Sequence, residues 1–269
     1  MKMAILYICT GKYTVFWKGF YESAEKFLFT KEEKEYFVWT DDLQLCKAQN
    51  VHLIEKKCEG FPFDSLFRFK MFLQVKEQLK TFDYIYFFNS NAQFLDKIDV
   101  ELLPKDRTQL VGSLWPIHRK IFTSPCFYGY ERNVHSLAYV PPFHKPYYYF
   151  MGGLNGGESK AYIKMIEVLY NNIQTDYNNG IIAIAHDESH INKYFRSHPC
   201  TMLDKHISCP EEWVKGFNTK IIYRDKVKVD PSFNKGRDKS TFGKIKFVLR
   251  MLYRAIEWYN PLNIKYFKD

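Results

Sequence analysis

The sequence contains no apolar run long enough to cross a bilayer. Its opening, MKMAILYICTGKY, holds an apolar run of seven residues before Thr10, against about twenty for a spanning helix. The same stretch lacks the cleavage pattern of a signal peptide and reads instead as a first strand. Paired cysteines are missing too. Cys9, Cys46, Cys58, Cys126, Cys200 and Cys209 are scattered, with no C-x-x-C among them. This argues against a zinc ribbon or a disulfide framework and for a reducing compartment. No repeat of fixed period occurs, which excludes a solenoid. Positive charge spread over the whole chain is also absent, although the net charge is +9. Residues 1–214 hold 25 basic and 25 acidic residues, and residues 215–269 hold 14 and 5. The excess belongs to a C-terminal segment, so no nucleic-acid partner is expected.

What is present is a hydrophobic, aromatic chain of 269 residues, 46% apolar and 18% aromatic, enough for one large domain or two small ones. AILYICT, EYFVWTDD, VHLIEK, DYIYFFN and LVGSLW read as strands. TVFWKGFYESAEKFLF carries Phe16, Phe20, Ala24 and Phe27 at helical spacing, and Ser65 is placed to cap a helix over LFRFKMFLQVKEQLK. Strands alternating with helices predict an α/β fold with a mainly parallel sheet. Ligands of such sheets sit beyond the carboxyl ends of the strands. There YIYFF stops at Asn89-Ser90-Asn91. Past residue 115 the pattern loosens into an aromatic stretch with prolines. ESKAYIKMIEVLYNNIQTDY then predicts a long helix, HDESHINKYF a shorter one, and TFGKIKFVLRMLYRAIEWY a last one ended by Pro261.

Two motifs stand out. MGGLNGG, residues 151–157, places two glycine pairs between a strand and a helix, where backbone can approach a ligand closely. By themselves these glycines fit an ordinary turn equally well. HDESH, residues 186–190, sets His186 and His190 four apart, as zinc ligands on one helical face can be. Glu188, however, follows His186 by two residues, which is not the H-E-x-x-H spacing. The same acids read as a carboxylate site or as a solvated helix start favoured by the dipole.

Taken in order, N-S-N, Y-E-R, Y-Y-x-M-G-G-x-x-G-G and H-D-E-S-H-x-N-K-Y closely resemble glycosyltransferase family 6, over roughly residues 3–230. ESAEKF and VWTDD match its early segment. The resemblance implies a GT-A fold: a single Rossmann-like nucleotide-sugar-binding domain with a mixed, mainly parallel sheet over residues 1–234, followed by a basic amphipathic segment, 235–269. It implies retaining transfer of N-acetylgalactosamine or galactose from UDP, in α-1,3 linkage, to a β-galactoside oligosaccharide or glycolipid. The lack of a membrane anchor points to a bacterial, cytoplasmic type.

Carried over residue by residue, the resemblance assigns Glu188 as catalytic. Ile8, Cys9, Thr10 and Tyr13 would line the uridine pocket. Arg68, Asn89, Asn91, Met151, Gly152, Gly153 and Asp187 would hold the rest of the donor. Trp115, His186 and Trp213 would face the acceptor. In animal members the positions of Asn89 and Asn91 are aspartates holding Mn²⁺. Two neutral amides anchor a hard dication poorly, yet the leaving diphosphate must still be stabilised. The expectation is therefore no metal cofactor, with cations of the tail (Lys220, Arg224, Lys226, Lys228, Lys235, Arg237) in its place. Donor binding is assigned to Lys226, Lys228 and Arg237 among these. The resemblance favours UDP-GalNAc, because in the family glycine at the position of Gly153 accompanies the acetamido sugar, whose acetamido group needs the space a Cβ would fill. Methionine at the position of Met151 accompanies the galactose-specific partner and points the other way. UDP-galactose remains the alternative donor. From outside the family's activity come a catalytically dead glycan-binding module and a hydrolase using His186 and His190.

The resemblance does not cover residues 242–259. There Lys246, Arg250 and Arg254 form one stripe, with wide apolar flanks to either side. Two readings fit: a helix packed on the domain with its cations in solvent, or an interfacial helix giving peripheral contact at the inner membrane face.

Overall fold

The computed structural model describes residues 1–105, 108–116, 127–143, 145–204, 206–214, 218–234 and 240–260. Cys126, Lys235, Arg237, Pro261 and the expected division at residue 235 lie outside them. The chain opens with β1 (Lys2–Ile8), a 3₁₀ turn (Gly11–Phe16), α1 (Trp17–Phe27), β2 (Glu33–Thr40) and β3 (Val51–Glu55). Three short helices follow: α2 (Phe63–Leu66), α3 (Arg68–Leu73) and α4 (Lys76–Leu79). Then come β4 (Tyr84–Phe88), β5 (Ala92–Phe94), β6 (Leu110–Leu114), β7 (Phe150–Glu158), α5 (Ser159–Asn178) and α6 (Asp187–Phe195). The chain continues through β8 (Thr201–Leu203), β9 (Ser208–Pro210), β10 (Ile221–Tyr223), α7 (Lys226–Val229) and α8 (Thr241–Tyr259).

Seven strands form the main sheet in the order β3-β2-β1-β4-β7-β6-β8, and β5-β10-β9 form a second, three-stranded sheet. In the main sheet β7 alone runs against its neighbours; the other pairings are parallel. This is the mixed, mainly parallel α/β sheet expected of a GT-A-like domain. The run AILYI is apolar without alternation because β1 is covered on both faces. Ala4 and Leu6 pack with Trp39, Phe72 and Ile166 on one side. Met3, Ile5 and Tyr7 pack with Trp17 and Phe20 on the other. The alternation is the two-residue period of a strand.

Two expectations are corrected. The helix expected from Ser65 to Lys80 is broken at Phe67 and Val75, and Pro62, not Ser65, stands at its N-cap. Lys70 N donates to Phe67 O and Gln74 N to Met71 O, tightened turns that re-aim the chain at each break. Arg68, at the first break, is thereby buried rather than solvated. The two glycine pairs lie inside β7, not between a strand and a helix. A Cβ on Gly156 would stand 2.3 Å from the Tyr86 ring and 2.5 Å from the Ile85 carbonyl. Gly157 has φ +145°, with the Gln109 carbonyl 2.3 Å from a would-be Cβ. The second pair therefore serves close strand contact, and only Gly152 and Gly153 face the site.

Candidate active site

The carboxyl ends of β1 and β4, the start of β7 and the start of α6 converge. Tyr7 of β1 donates from its hydroxyl to the Ser90 carbonyl (2.6 Å), tying the Asn-Ser-Asn turn to the neighbouring strand. Asn89 N donates to the Gly153 carbonyl (2.8 Å), which sets that turn beside the glycines of β7. A cavity of about 310 Å³ opens here, lined by Ile8, Thr10, Tyr13, Arg68, Asn89 and Lys226, and also by Lys12 and Asp64.

Six of the residues expected to bind the donor are thus brought together. Cys9 is not: its side chain is fully buried among Tyr7, Trp17 and their neighbours, and burial pushes the thiol up to about 12. Lys228 is exposed on α7 and does not line the cavity. Met151 turns into the core, its sulfur accepting from Ser208 Oγ and Tyr223 Oη (both 3.5 Å). A Cβ on Gly153 would meet the Tyr223 ring at 3.2 Å and Asn89 Cβ at 3.4 Å. Trp115 is 39% exposed at the end of β6. Trp213 is half-buried in the turn after β9.

His186 precedes α6 with φ +54°, a conformation a non-glycine residue adopts only when its surroundings enforce it. Its ring packs edge-on to Phe61 at 4.8 Å. His186 and His190 therefore do not share a helical face, which removes the geometry of the zinc reading. His190 is buried 3.6 Å from Asp176, and burial lowers its pKa below the ordinary value while Asp176 opposes the shift. Among the described residues no cluster of three metal-ligating side chains occurs.

The two acids of α6 point inward. Arg68 Nη2 lies 2.7 Å from Asp187 Oδ2, and Nη1 donates to the Gly152 carbonyl (2.9 Å). The guanidinium stands 4.3 Å over the Phe87 ring. Its Nε lacks a hydrogen-bond partner among the described residues. Burial raises the Asp187 carboxyl above its ordinary value, and Arg68 pulls it back. Glu188 accepts from Gly152 N at Oε2 (2.6 Å) and from the Tyr149 hydroxyl at Oε1. Burial pushes its pKa up to about 7 against those two donors. A buried carboxylate with a pKa near neutrality, next in sequence to the Asp187 that pairs with Arg68 of the cavity wall, is a catalytic candidate on physical grounds.

Sequence reasoning assigned no role to Tyr149, Asn192, Lys12 or Asp64. Tyr149 closes a run of three tyrosines. Tyr148 is 45% exposed and Tyr149 7%, a difference that only the packing reveals. Gly129 makes room for it, since a Cβ there would stand 2.3 Å from the Tyr149 oxygen. Asn192 latches α6 to β7, accepting from Phe150 N and donating to Phe150 O (both 2.8 Å). Asp64 accepts from Thr10 Oγ1 (3.0 Å) and Gly60 N (2.9 Å), shaping the cavity wall.

The amide pair fits a dication poorly. Asn89 Nδ2 donates to Asn91 Oδ1 (2.9 Å), which occupies one of the two amide oxygens, and Asn91 Nδ2 donates to the Arg224 carbonyl (2.8 Å). A carboxylate at residue 91 could not make that donation. The charge argument narrows as well. Lys220 pairs with Glu101, and Arg224 with Glu211 at 3.4 Å. Among the described residues the cations on the cavity wall are Arg68, Lys12 and Lys226, the last 4.7 Å from the centre of the Tyr13 ring. Lys12 donates to the Ser232 carbonyl (2.7 Å) and Tyr13 packs on Phe233 (4.9 Å), which holds the segment after β10 against two residues of the cavity wall.

Comparison with known proteins shows the family. The family model described as Glycosyltransferase family 6 matches residues 2–219. The O-antigen biosynthesis glycosyltransferase WbnI of Escherichia coli is 33% identical over 228 residues, 84% of this chain and 95% of its own length. The histo-blood group ABO system transferase 1 of Rattus norvegicus is 31% identical over 203 residues, 71% of this chain. The globoside alpha-1,3-N-acetylgalactosaminyltransferase 1 of Gallus gallus is 26% identical over 207 residues, 74% of this chain. The matches span 55% and 58% of those two vertebrate proteins.

Proposed function

Since the chain belongs to glycosyltransferase family 6, we propose that it moves N-acetylgalactosamine from UDP-GalNAc to a β-galactoside in α-1,3 linkage, with retention and without a metal ion. Residues 1–234 are the catalytic unit in this reading. The observation that carries it is Glu188, held by Tyr149 and Gly152 next to the Arg68–Asp187 pair. Arg68 forms part of the wall of the cavity beyond β1 and β4 and so links that cavity to Asp187.

In this reading the uracil and ribose occupy the cavity between Ile8, Thr10 and Tyr13. The diphosphate lies toward Lys226 and Lys12, with Arg237 of the tail as a further cation. These charges stabilise the leaving UDP where a metal would otherwise stand. Asp187, oriented by Arg68, accepts hydrogen bonds from sugar hydroxyls. Glu188 in its ionised form faces the anomeric carbon, as a nucleophile or as the charge that stabilises an oxocarbenium-like state. Trp115 offers its ring as a stacking face for the acceptor. Gly153 carries the preference for the acetamido sugar, and Met151, turned into the core, leaves that space alone.

The test is product formation from UDP-GalNAc and from UDP-galactose with 2′-fucosyllactose, with and without EDTA. The expected result is an α-1,3-linked N-acetylgalactosaminyl product whose yield EDTA does not change. Preference for UDP-galactose would overturn the donor assignment. Loss of activity in EDTA with recovery on Mn²⁺ would overturn the replacement of metal by cations.

A further inference from the structure

Helix α8 is seated by two residues. Met251 and Trp258 are buried, and Trp258 Nε1 donates to the Val140 carbonyl (2.7 Å). Trp258 also packs on Tyr130 (6.0 Å) and Tyr147 (6.1 Å), with Arg132 5.5 Å from its ring. The remainder of the helix is inverted relative to an ordinary surface helix, whose apolar side faces the core. Phe242, Leu249, Tyr253 and Ile256 are 71%, 60%, 62% and 70% exposed, and Ile245 and Leu252 are 52% and 49% exposed. At the helical pitch, Leu249 stands about 180° around from Trp258, so this apolar arc faces directly away from the seat. Lys246, Arg250 and Arg254 run along one edge of the arc, and Glu257 is the single acid of the helix. Patches of this kind on a soluble surface mark an interaction site.

We propose that α8 is an interfacial helix that docks the enzyme on an anionic lipid bilayer, with the apolar arc in the acyl boundary and the cationic edge among the head groups. Charge selects this occupant. A second copy meeting the same face in an antiparallel pair would bring Lys246, Arg250 and Arg254 against their own counterparts, which disfavours that pairing. A parallel pair would leave the three cations with no acidic edge to meet, since Glu257 is the single acid of the helix. A surface of anionic head groups complements them, each cation strengthening binding about fivefold near the surface. None of the described helices is long and apolar enough to cross a membrane, so the contact is peripheral. The seat has a further consequence. Trp258 packs on Tyr130, Tyr130 packs on Tyr149 at 5.5 Å, and Tyr149 donates to Glu188. Docking through α8 thus brings the membrane to the side of the domain that supports the catalytic glutamate, where an acceptor carried on a lipid would arrive.

The experiment is cosedimentation of the full chain with vesicles of phosphatidylcholine alone and with added phosphatidylglycerol, at low and high salt. Leu249→Glu/Ile256→Glu and Lys246→Gln/Arg250→Gln are compared with the unaltered chain. Turnover of a soluble acceptor serves as the control for folding. The expected result is binding to the anionic vesicles only, weakened by salt. Both variants should bind at least about tenfold more weakly with turnover unchanged. Three results would overturn the proposal: equal binding to neutral vesicles, variants that bind like the unaltered chain, or no binding with light scattering showing a dimer that Leu249→Glu/Ile256→Glu dissolves. The readout is vesicle binding, so it stands or falls independently of the donor and acceptor assignments.

Discussion

Arg68 and Asp187 form a buried ion pair at 2.7 Å, each side chain less than a tenth exposed. Arg68 simultaneously donates to the Gly152 carbonyl. One guanidinium therefore fixes both the acid beside the catalytic candidate and the backbone of the glycine segment. Removing one partner of such a pair strands the other charge in a poorly solvated place. Arg68→Ala is expected to cost about 3–5 kcal/mol of stability, measured by denaturant unfolding. Arg68→Lys keeps the charge without the fork and should restore part of that stability but little activity. Unfolding of Arg68→Ala at the unaltered midpoint would show that the pair does not hold the site.

Glu188→Gln is expected to lower kcat by at least about a hundredfold while leaving UDP affinity near its original value, read by single-turnover kinetics and calorimetry. Near-normal turnover would move the catalytic role elsewhere. The same substitution should raise the melting temperature at neutral pH. With a folded pKa raised from 4.5 to about 7, the native state binds more protons than the unfolded one in that interval. The glutamate's contribution to stability thus falls as pH rises from 4.5 to about 7. Above that window it is a full penalty, which glutamine removes.

Activity carries the opposite sign. If the ionised Glu188 is the working form, kcat/KM should rise with pH through about 7 and flatten above it. The Tyr149 hydroxyl and the Gly152 amide both favour the charged carboxylate. Tyr149→Phe should therefore move this acid limb upward in pH, not merely lower the plateau. An acid limb unmoved in Tyr149→Phe would make the tyrosine a packing residue only.

Asn91→Asp replaces an amide donor facing the Arg224 carbonyl with a charge. It is expected to cost about 1–3 kcal/mol in thermal or denaturant unfolding. Lys226→Gln, by contrast, should leave stability unchanged and raise the KM for the UDP-sugar about tenfold or more, as loss of a charge-assisted contact does. A donor KM unaltered in Lys226→Gln would place the balancing charge on other residues.

Gly153→Ala should shift preference from UDP-GalNAc toward UDP-galactose. The added Cβ stands 3.2 Å from the Tyr223 ring and 3.4 Å from Asn89 Cβ, so it fits with a small shift of the Tyr223 ring. The measurement is the ratio of kcat/KM for the two donors. An unchanged ratio would detach donor choice from this glycine.

Much of this protein could be read along the chain. AILYI, YFVW and YIYFF are apolar runs because their strands are covered on both faces, and that demand shows in consecutive residues. Asp187 and Glu188 stand out because two acids at a helix start carry a local reason to be there. The charge excess after residue 214 was also legible, since it needs only counting. Pairings across the fold had to come from the tertiary structure. Lys220 and Arg224 looked available until Glu101 and Glu211 were found beside them. Tyr148 and Tyr149 are the same residue in the same run, and only packing against Tyr128 and Gly129 turns one inward to Glu188. The helical spacing of His186 and His190 implied a shared face, which the φ of His186 removes. Local periodicity reports which residues must be buried. Which buried groups meet depends on contacts between residues distant in sequence, and no window of sequence contains both partners.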